Sequence, residues 1–456
     1  MKQSYYKKGK YCIFTYGCQM NEHDSEEIAW MLENIGYEHT DNIEDSNLII
    51  YNTCLIRENA ELKVYGKLGE LKKLKRKRPD IILCLCGCMM QREEIRNIIL
   101  KKYKQVDIIF GVNNIQKLPQ LIDTHLQTGK TIVDIEEESR QIEESIDAKR
   151  KYSYKAFINI MYGCNNFCTY CVVPYTRGRE KSREPEDIIR EAEKLSKEGC
   201  KEITLLGQNV NSYGKTLNRD YNFSMLLRNL NDIDGIERIR FMTSHPKDLS
   251  DDLILTMAQC DKVCEHLHLP VQSGSNKILK AMNRNYTKEK YLSLVSKIKE
   301  RIPNIALTTD IIVGFPGETE EDFEGTIDLA KKCKYDSAFT FIYSVREGTK
   351  AAEMKNQVPD EIKHKRFQTL LDELYPIFNE NNLKYNNKAV EVLVEEISKN
   401  NPKMLTGRTR TNKLVHFKGN KDLIGKLINV KIDTTKTFTM EGHILDNSIA
   451  GGDIFE

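Results

Sequence analysis

A chain of 456 residues is longer than one hydrophobic core ordinarily supports, so two or three domains are expected. With 40% apolar and 30% charged residues, the composition excludes a disordered polymer, and no stretch reaches the roughly eighteen apolar residues of a membrane span. The net charge of +2 by itself neither requires nor excludes a nucleic-acid partner.

The start, MKQSYYKKGK, is polar and basic and lacks the apolar core of a secretion signal, so a cytoplasmic protein with no membrane partner is expected. Residues 9–128 alternate short apolar runs at 11–15, 47–53, 81–87 and 106–112 with helical patterns starting near Asp24, Arg57 and Gln91. Such alternation predicts an open parallel α/β sheet. The helix from Arg57 ends at Arg78 in KKLKRKRPD, a cationic run that reads either as a solvated helix end or as an RNA contact. Residues 129–153, with EEESRQIEESIDAKRK, are too charged to pack and read as a linker.

Residues 154–378 again alternate, with strand patterns at 156–160, 202–209, 238–245, 265–272, 305–315 and 337–345. Six strands separated by helices predict a partial (β/α)6 barrel, whose chemistry belongs at the strand C-termini. From 380 to 446 the pattern changes to five short strands with polar turns, the signature of a small antiparallel β-barrel, OB-like in character. Between Lys384 and Asp446 twelve Lys and Arg face seven Asp and Glu, a local +5 that leaves the rest of the chain near −3. That asymmetry favours a polyanion such as RNA over a merely basic surface.

Thirteen cysteines in a reducing compartment are metal ligands or core residues, and only spacing or placement separates the two. Cys164, Cys168 and Cys171 stand at C-x3-C-x2-C directly after the first strand of the predicted barrel. Ferredoxin runs and zinc ribbons have other spacings. Three thiolates on a four-iron cluster leave one iron able to chelate S-adenosylmethionine (SAM), and one electron then releases a 5′-deoxyadenosyl radical. Cys18, Cys54 and Cys88 obey no spacing rule. Each ends a predicted parallel strand, and such ends converge on one crevice, which makes them a second three-thiolate site. Cys12, Cys84 and Cys86 lie within strands, and Cys200, Cys260, Cys264 and Cys333 lie in or beside helical patterns; these are expected to be core.

The segments GCQMNEHDSE, NTCLIRENA, CGCMMQ, GCNNFCTYCVVPYTRGRE, LLGQNVNSYG, TSHP, HLPVQSGS and DIIVGFPGET resemble the methylthiotransferases, most closely the tRNA 2-methylthio-N(6)-dimethylallyladenosine synthases, over nearly the whole chain. The resemblance implies an N-terminal methylthiotransferase domain, a radical SAM barrel and a C-terminal TRAM domain. It also implies two 4Fe-4S clusters with SAM: Cys164, Cys168 and Cys171 for the radical SAM cluster, and Cys18, Cys54 and Cys88 for an auxiliary cluster that supplies sulfur. No side chain is expected to be catalytic alone. The implied substrate is the prenylated adenosine at position 37, beside the anticodon, in the anticodon stem-loop of tRNA, with flavodoxin or ferredoxin as electron donor and a monomeric enzyme.

Gly207, Gln208, Asn209, Ser244 and Tyr170 would meet SAM, or would serve only as turns and packing. Ser244 and His245 end the third strand of the barrel and would meet the ribose or the substrate; His266, His268 and Gln272 would line the barrel interior, or the histidines would be packed core; and Gly314, Phe315, Pro316 and Gly317 would shape the adenine pocket or turn the chain. Within the family, threonylcarbamoyladenosine in tRNA and an aspartate of a ribosomal protein compete as substrates, and a basic third segment argues against the latter. A non-catalytic iron-sulfur RNA-binding protein is the alternative of another class.

Overall fold

The computed structural model describes residues 9–55, 58–136, 147–399 and 401–445, with side chains except at 58–62. They form two compact units. The first holds the chain to residue 151 with 157–167 and 171–183, and the second holds 152–156, 168–170 and the chain from 184 onward.

The first unit runs β1 (Gly9–Thr15), α1 (Gln19–Asn34), β2 (Tyr37–His39), β3 (Leu48–Thr53), α2 (Glu58–Lys77), β4 (Ile82–Gly87), α3 (Glu93–Lys102), β5 (Ile108–Phe110), α4 (Leu118–Thr128) and β6 (Ile132–Asp134). All pairings in the sheet β2-β1-β3-β4-β5-β6 are parallel. Every residue of β3 and β4 is buried, the mark of central strands covered on both faces. Ile50, Cys84 and Cys86 pack on one side, and Ile49, Leu83 and Leu85 on the other. Cys84 and Cys86 are therefore core, as expected.

Two three-residue edge strands, β2 and β6, were not legible in the sequence, because three residues show no periodicity. β6 falls inside residues 129–153, so the expected linker begins with a sheet strand, held by Ile132 N–H to the Asp107 carbonyl at 2.8 Å. Arg57 and residues 137–146, the body of the charged run, lie outside the described residues. α1 begins at Gln19 and not near Asp24, directly after Cys18. The cationic end of α2 turns partly inward: Lys75 pairs with Asp107 at 2.6 Å, and Arg78 donates to the Glu44 carbonyl at 2.7 Å.

β7 (Lys155–Asn159) leads into a two-stranded hairpin of β8 (Met161–Tyr162) and β9 (Lys181–Ser182), with α5 (Val173–Thr176) between them. The second unit continues with α6 (Pro185–Lys197), β10 (Glu202–Leu206), α7 (Phe223–Asn231), β11 (Arg238–Phe241), α8 (Asp251–Gln259), β12 (His266–His268), α9 (Asn276–Ala281), α10 (Lys288–Arg301), β13 (Ala306–Val313), α11 (Glu320–Cys333), β14 (Ser337–Ile342) and α12 (Asp360–Leu383). Its strands lie in two three-stranded sheets, β11-β10-β7 and β12-β13-β14, linked by a parallel bridge from Ile239 to Val263. This is the six-strand half barrel. Several strands end earlier than their apolar runs do. Thr243 and Gly314 adopt φ of +69° and +73°, a left-handed geometry that takes the backbone out of the ladder, whereas Gln272, at φ +70°, keeps an isolated parallel bridge to Ile311 beyond the end of β12.

β15 (Ala389–Ile397), β16 (Met404–Thr409), β17 (Leu414–Lys418), β18 (Leu427–Thr435) and β19 (Thr439–Ile444) close a barrel in the order β15-β16-β17-β19-β18. The expectation of a wholly antiparallel module needs one correction: β17 pairs with β19 in parallel, since closure brings together two strands running the same way. α12 continues to Leu383, across the expected boundary at 378–380. The small barrel is bolted to the half barrel by ions. Arg238 reaches Glu391 at 2.7 Å, Arg240 reaches the Arg410 carbonyl at 2.7 Å, Arg410 reaches Glu265 at 2.8 Å, and Lys413 reaches Asp336 at 2.8 Å. Arg410 and Lys413 thus serve the fold and are not free for a polyanion.

Candidate cofactor sites

Cys18, Cys54 and Cys88 follow the C-terminal ends of β1, β3 and β4, the three adjacent central strands. Gly17 precedes Cys18 with φ +134°, and a Cβ there would lie 2.7 Å from Cys54 Cβ and 3.2 Å from its Sγ. Gly87 precedes Cys88 with φ +95°, and a Cβ would strike the Thr53 carbonyl at 2.2 Å. Only glycine lets the three cysteine-bearing turns approach this closely. Asn21, in the first turn of α1, donates to Asn52 Oδ1 at 3.0 Å and to the Thr53 carbonyl at 3.1 Å, fixing α1 to the end of β3.

Over these thiols lies Arg177, buried in the segment after α5. Its Nε donates to Cys88 Sγ at 3.2 Å, and one terminal nitrogen donates to Asn21 Oδ1 at 3.2 Å and to Asp24 Oδ2 at 2.7 Å. The Cys18 thiol donates to the same Asn21 oxygen at 3.4 Å. Burial pushes the Cys88 thiol up to about 11, with Arg177 pulling it down and Cys18 and Cys54 pushing it up as near neighbours. Burial works against the charge on Arg177, but Asp24, Cys88 and Cys18 outweigh it. A fixed cation beside sulfur favours the thiolate, the form that binds metal.

The donor set suits an iron-sulfur cube. Among the described residues no three His, Cys, Asp or Glu side chains converge tightly enough to grip one ion. A cube asks for less, because each thiolate binds a different iron and the three stand apart. Sequence reasoning missed Asn21, Asp24 and Arg177. Their only trace was a polar run after Cys18 and the RGRE segment, 153 residues apart for Asp24 and Arg177.

Cys164 and Cys171 belong to the first unit and Cys168 to the second. In the first unit Cys164 N–H bonds the Gly178 carbonyl at 3.1 Å, Asn165 accepts from Glu180 N–H at 3.2 Å, and Arg179 lies 4.3 Å over the Phe167 ring. In the second, Thr169 N–H bonds the Met282 carbonyl at 3.1 Å, and its own carbonyl accepts from Ala351 N–H at 2.9 Å. Buried Arg284 donates to Cys168 Sγ at 3.6 Å and to the Pro270 carbonyl at 2.6 Å, an arrangement like that of Arg177 and likewise invisible in the sequence. Tyr170 meets Phe315 edge to face at 6.4 Å.

At the C-terminal ends of β10, β11 and β12, buried polar atoms lack partners. Asn209 spends its Nδ2 on Asp248 at 2.7 Å while Oδ1 is unpaired, and Ser244 Oγ and Gln272 Oε1 are unpaired as well. Buried polar groups are ordinarily satisfied, so unpaired oxygens on consecutive strand ends fit a polar ligand of the size of SAM. Gly207 and Gln208 lie on the turn that carries Asn209. His245 is buried against Tyr286 at 5.7 Å, and burial with Arg284 nearby keeps it neutral. His266 and His268 share Thr308: His268 Nδ1 lies 3.0 Å from its Oγ1 and His266 Nε2 lies 3.4 Å from it. Both rings therefore belong to the inner wall. Gly314 N–H bonds Glu318 Oε1 at 2.9 Å, which Arg366 also binds at 2.9 Å, while Phe315 is fully buried.

A half barrel of parallel strands, entered through a three-cysteine loop and carrying unsatisfied polar groups at its strand ends, defines a radical SAM enzyme. The chain matches the radical SAM superfamily over residues 158–330, the uncharacterised protein family UPF0004 over 10–111, and the TRAM domain over 383–445. It belongs to the tRNA-2-methylthio-N(6)-dimethylallyladenosine synthase family. The relative so named from Alkaliphilus oremlandii is 61% identical over 96% of this chain and 93% of its own. The relative from Acetivibrio thermocellus is 58% identical over 96% and 92%. The cofactors of the family are 4Fe-4S clusters and SAM. Among solved structures, the radical SAM methyltransferase TsrM from Kitasatospora setae, with cobalamin and a 4Fe-4S cluster bound, aligns at TM-score 0.53 with 15% identity over 72% of this chain and 73% of that one. The cobalamin-dependent radical SAM enzyme OxsB aligns at 0.52 with 10% identity over 81% and 57%. Both share the fold.

Proposed function

We propose that this enzyme converts N(6)-dimethylallyladenosine at position 37 of tRNA, beside the anticodon, into its 2-methylthio derivative. In this reading Cys164, Cys168 and Cys171 hold the radical SAM cluster, and Cys18, Cys54 and Cys88 hold an auxiliary one. The observation that carries it is the gathering of Cys18, Cys54 and Cys88 under Arg177, a second three-thiol site that radical generation alone does not require.

When bound, the clusters and SAM supply the electron, the radical that removes hydrogen from carbon 2 of the adenine, and the methylthio group that replaces it. The chain's own residues hold and exclude. Arg177 and Arg284 offset the charge of thiolates in dry surroundings. Asn209 Oδ1 and Gln272 Oε1 accept hydrogen bonds from SAM, Ser244 Oγ donates or accepts one, Gly207 and Gln208 shape the same turn, and Tyr170 backed by Phe315 walls the adenine side. Lys403, Lys418, Lys421 and Lys426 of the small barrel are exposed and form no ion pair among the described residues, which suits contact with phosphates. Reduction calls for a one-electron donor of the flavodoxin or ferredoxin class, and we read the enzyme as a cytoplasmic monomer. No described helix is long and apolar enough to cross a membrane.

The test is anaerobic reconstitution with iron, sulfide, SAM, dithionite and a prenylated tRNA, followed by nucleoside mass spectrometry. A prenylated nucleoside heavier by one methylthio substitution, together with 5′-deoxyadenosine, is expected. SAM cleavage without that product would refute the substrate, and no cleavage would refute the enzyme.

A further inference from the structure

The inner face of the β12-β13-β14 sheet changes character along its length. Paired residues of parallel strands point to the same side. The register therefore sets His268, Thr308 and Ser337 on one rung, Asp310 and Phe339 on the next, and Ile312 and Phe341 on the third. His268 identifies this as one continuous face, since its ring lies 3.4 Å from Asp310 Oδ1 and 5.9 Å from the Phe339 ring. The alternate residues Leu307, Thr309, Ile311 and Val313 are wholly buried on the other side.

On this face Phe339 is 49% exposed and Phe341 38%. Large aromatic side chains left open side by side, on a face that also holds a buried polar rung, mark a binding surface. Ile312, on the rung of Phe341, packs into the cluster of Phe315 and Tyr343 that also holds Tyr170. The apolar wall is thus continuous with the aromatic residue that precedes Cys171. Neither Lys nor Arg stands on the three rungs, whose one acidic side chain is Asp310.

Resting on the substrate reading above, we infer that Phe339, Phe341 and Ile312 form the wall that receives the dimethylallyl group and selects it. The group is a neutral hydrocarbon, and burying it on two phenyl rings removes apolar surface from water. A threonylcarbamoyl group carries a carboxylate, which would find no Lys or Arg on these rungs and would lie on phenyl rings beside the Asp310 carboxyl group. An unmodified adenosine leaves the phenyl rings wet. The wall therefore discriminates in both directions, by burying the prenyl group and by offering the anionic one no cationic partner on its rungs.

The experiment uses reconstituted holoenzyme and anticodon stem-loop RNAs carrying dimethylallyladenosine, adenosine or threonylcarbamoyladenosine, and measures Kd and kcat/KM for each. Phe339→Ala and Phe341→Ala are each expected to shrink the preference for prenylated over unmodified RNA about tenfold. Phe341→Met, still apolar and of similar reach, should restore most of it. Phe341→Arg should erase the prenyl preference and improve the threonylcarbamoyl RNA relative to it. Thermal melting confirms that each variant is folded. If both alanine variants keep the wild-type preference within twofold, the wall is elsewhere. If wild-type enzyme cleaves SAM but adds no methylthio group to prenylated RNA, the substrate reading fails first and this inference with it.

Discussion

Around Cys18, Cys54 and Cys88 the polar groups answer one another, whereas the strand ends of the half barrel keep oxygens with no partner. Arg177, Asn21 and Asp24 form a chain of bonds that is complete within the protein. Asn209 Oδ1, Ser244 Oγ and Gln272 Oε1 are buried and unanswered, next to backbone at Thr243 and Gln272 held in a left-handed conformation. A site that keeps its group is best built with its surroundings satisfied. On the proposed function the second site receives SAM, which arrives and leaves and so needs polar atoms held ready, and strain of this kind gathers where a ligand can relieve it.

The largest expected effect tests whether the two thiol sets are separate. Cys164→Ala should remove about one cluster of iron and abolish 5′-deoxyadenosine formation, while Cys88→Ala should remove as much iron, leave SAM cleavage measurable and end methylthio insertion. Equal loss of both activities in the two variants would break the distinction. Next comes Arg177→Leu, which strands the buried Asp24 carboxylate. Breaking such a pair costs about 3–5 kcal/mol, so denaturant melting should show a large loss in the first unit, and a stability within 1 kcal/mol of wild type would contradict a self-satisfied site.

pH should act on the second unit through His245 and His266, both held neutral chiefly by burial. Their folded pKa values lie below the unfolded value of about 6.5. Below that pH the unfolded chain takes up protons that the folded chain refuses, so stability is present above about 6.5 and is lost as pH falls, by about 1.4 kcal/mol per pH unit for each histidine. His266→Gln should flatten the melting profile between pH 7 and 5, and an unchanged slope would mean the ring is protonated when folded. The smallest effect on folding is expected from Ser244→Ala. Removing an unpaired buried hydroxyl should leave the melting temperature equal or slightly higher while weakening SAM binding about tenfold. A fall in stability with unaltered SAM affinity would show that the oxygen serves the fold.

Much of this was legible beforehand. The C-x3-C-x2-C spacing is local, so Cys164, Cys168 and Cys171 could be read as a set from eight consecutive positions. The strand periods could be counted, and the core positions of Cys84 and Cys86 followed from lying within a strand. The small barrel was visible as five short runs, but not its parallel seam, because which strands meet at closure is a property of the whole ring. The +5 of that module was a fair count and an imperfect guide, since Arg410 and Lys413 are spent on Glu265 and Asp336.

What the sequence determined alone was the chemistry available: two sets of three thiols, glycines before Cys18 and Cys88, and strand-helix alternation that sends ligands to one end of a sheet. Tertiary structure decided the company those groups keep. Arg177 over Cys88, Arg284 beside Cys168, and Phe339 and Phe341 open on the same face as Asp310 are unions of distant segments. Hydrophobic patterning constrains which face a side chain occupies but not which charged or aromatic neighbour waits there, so these partners emerge only when the chain is folded.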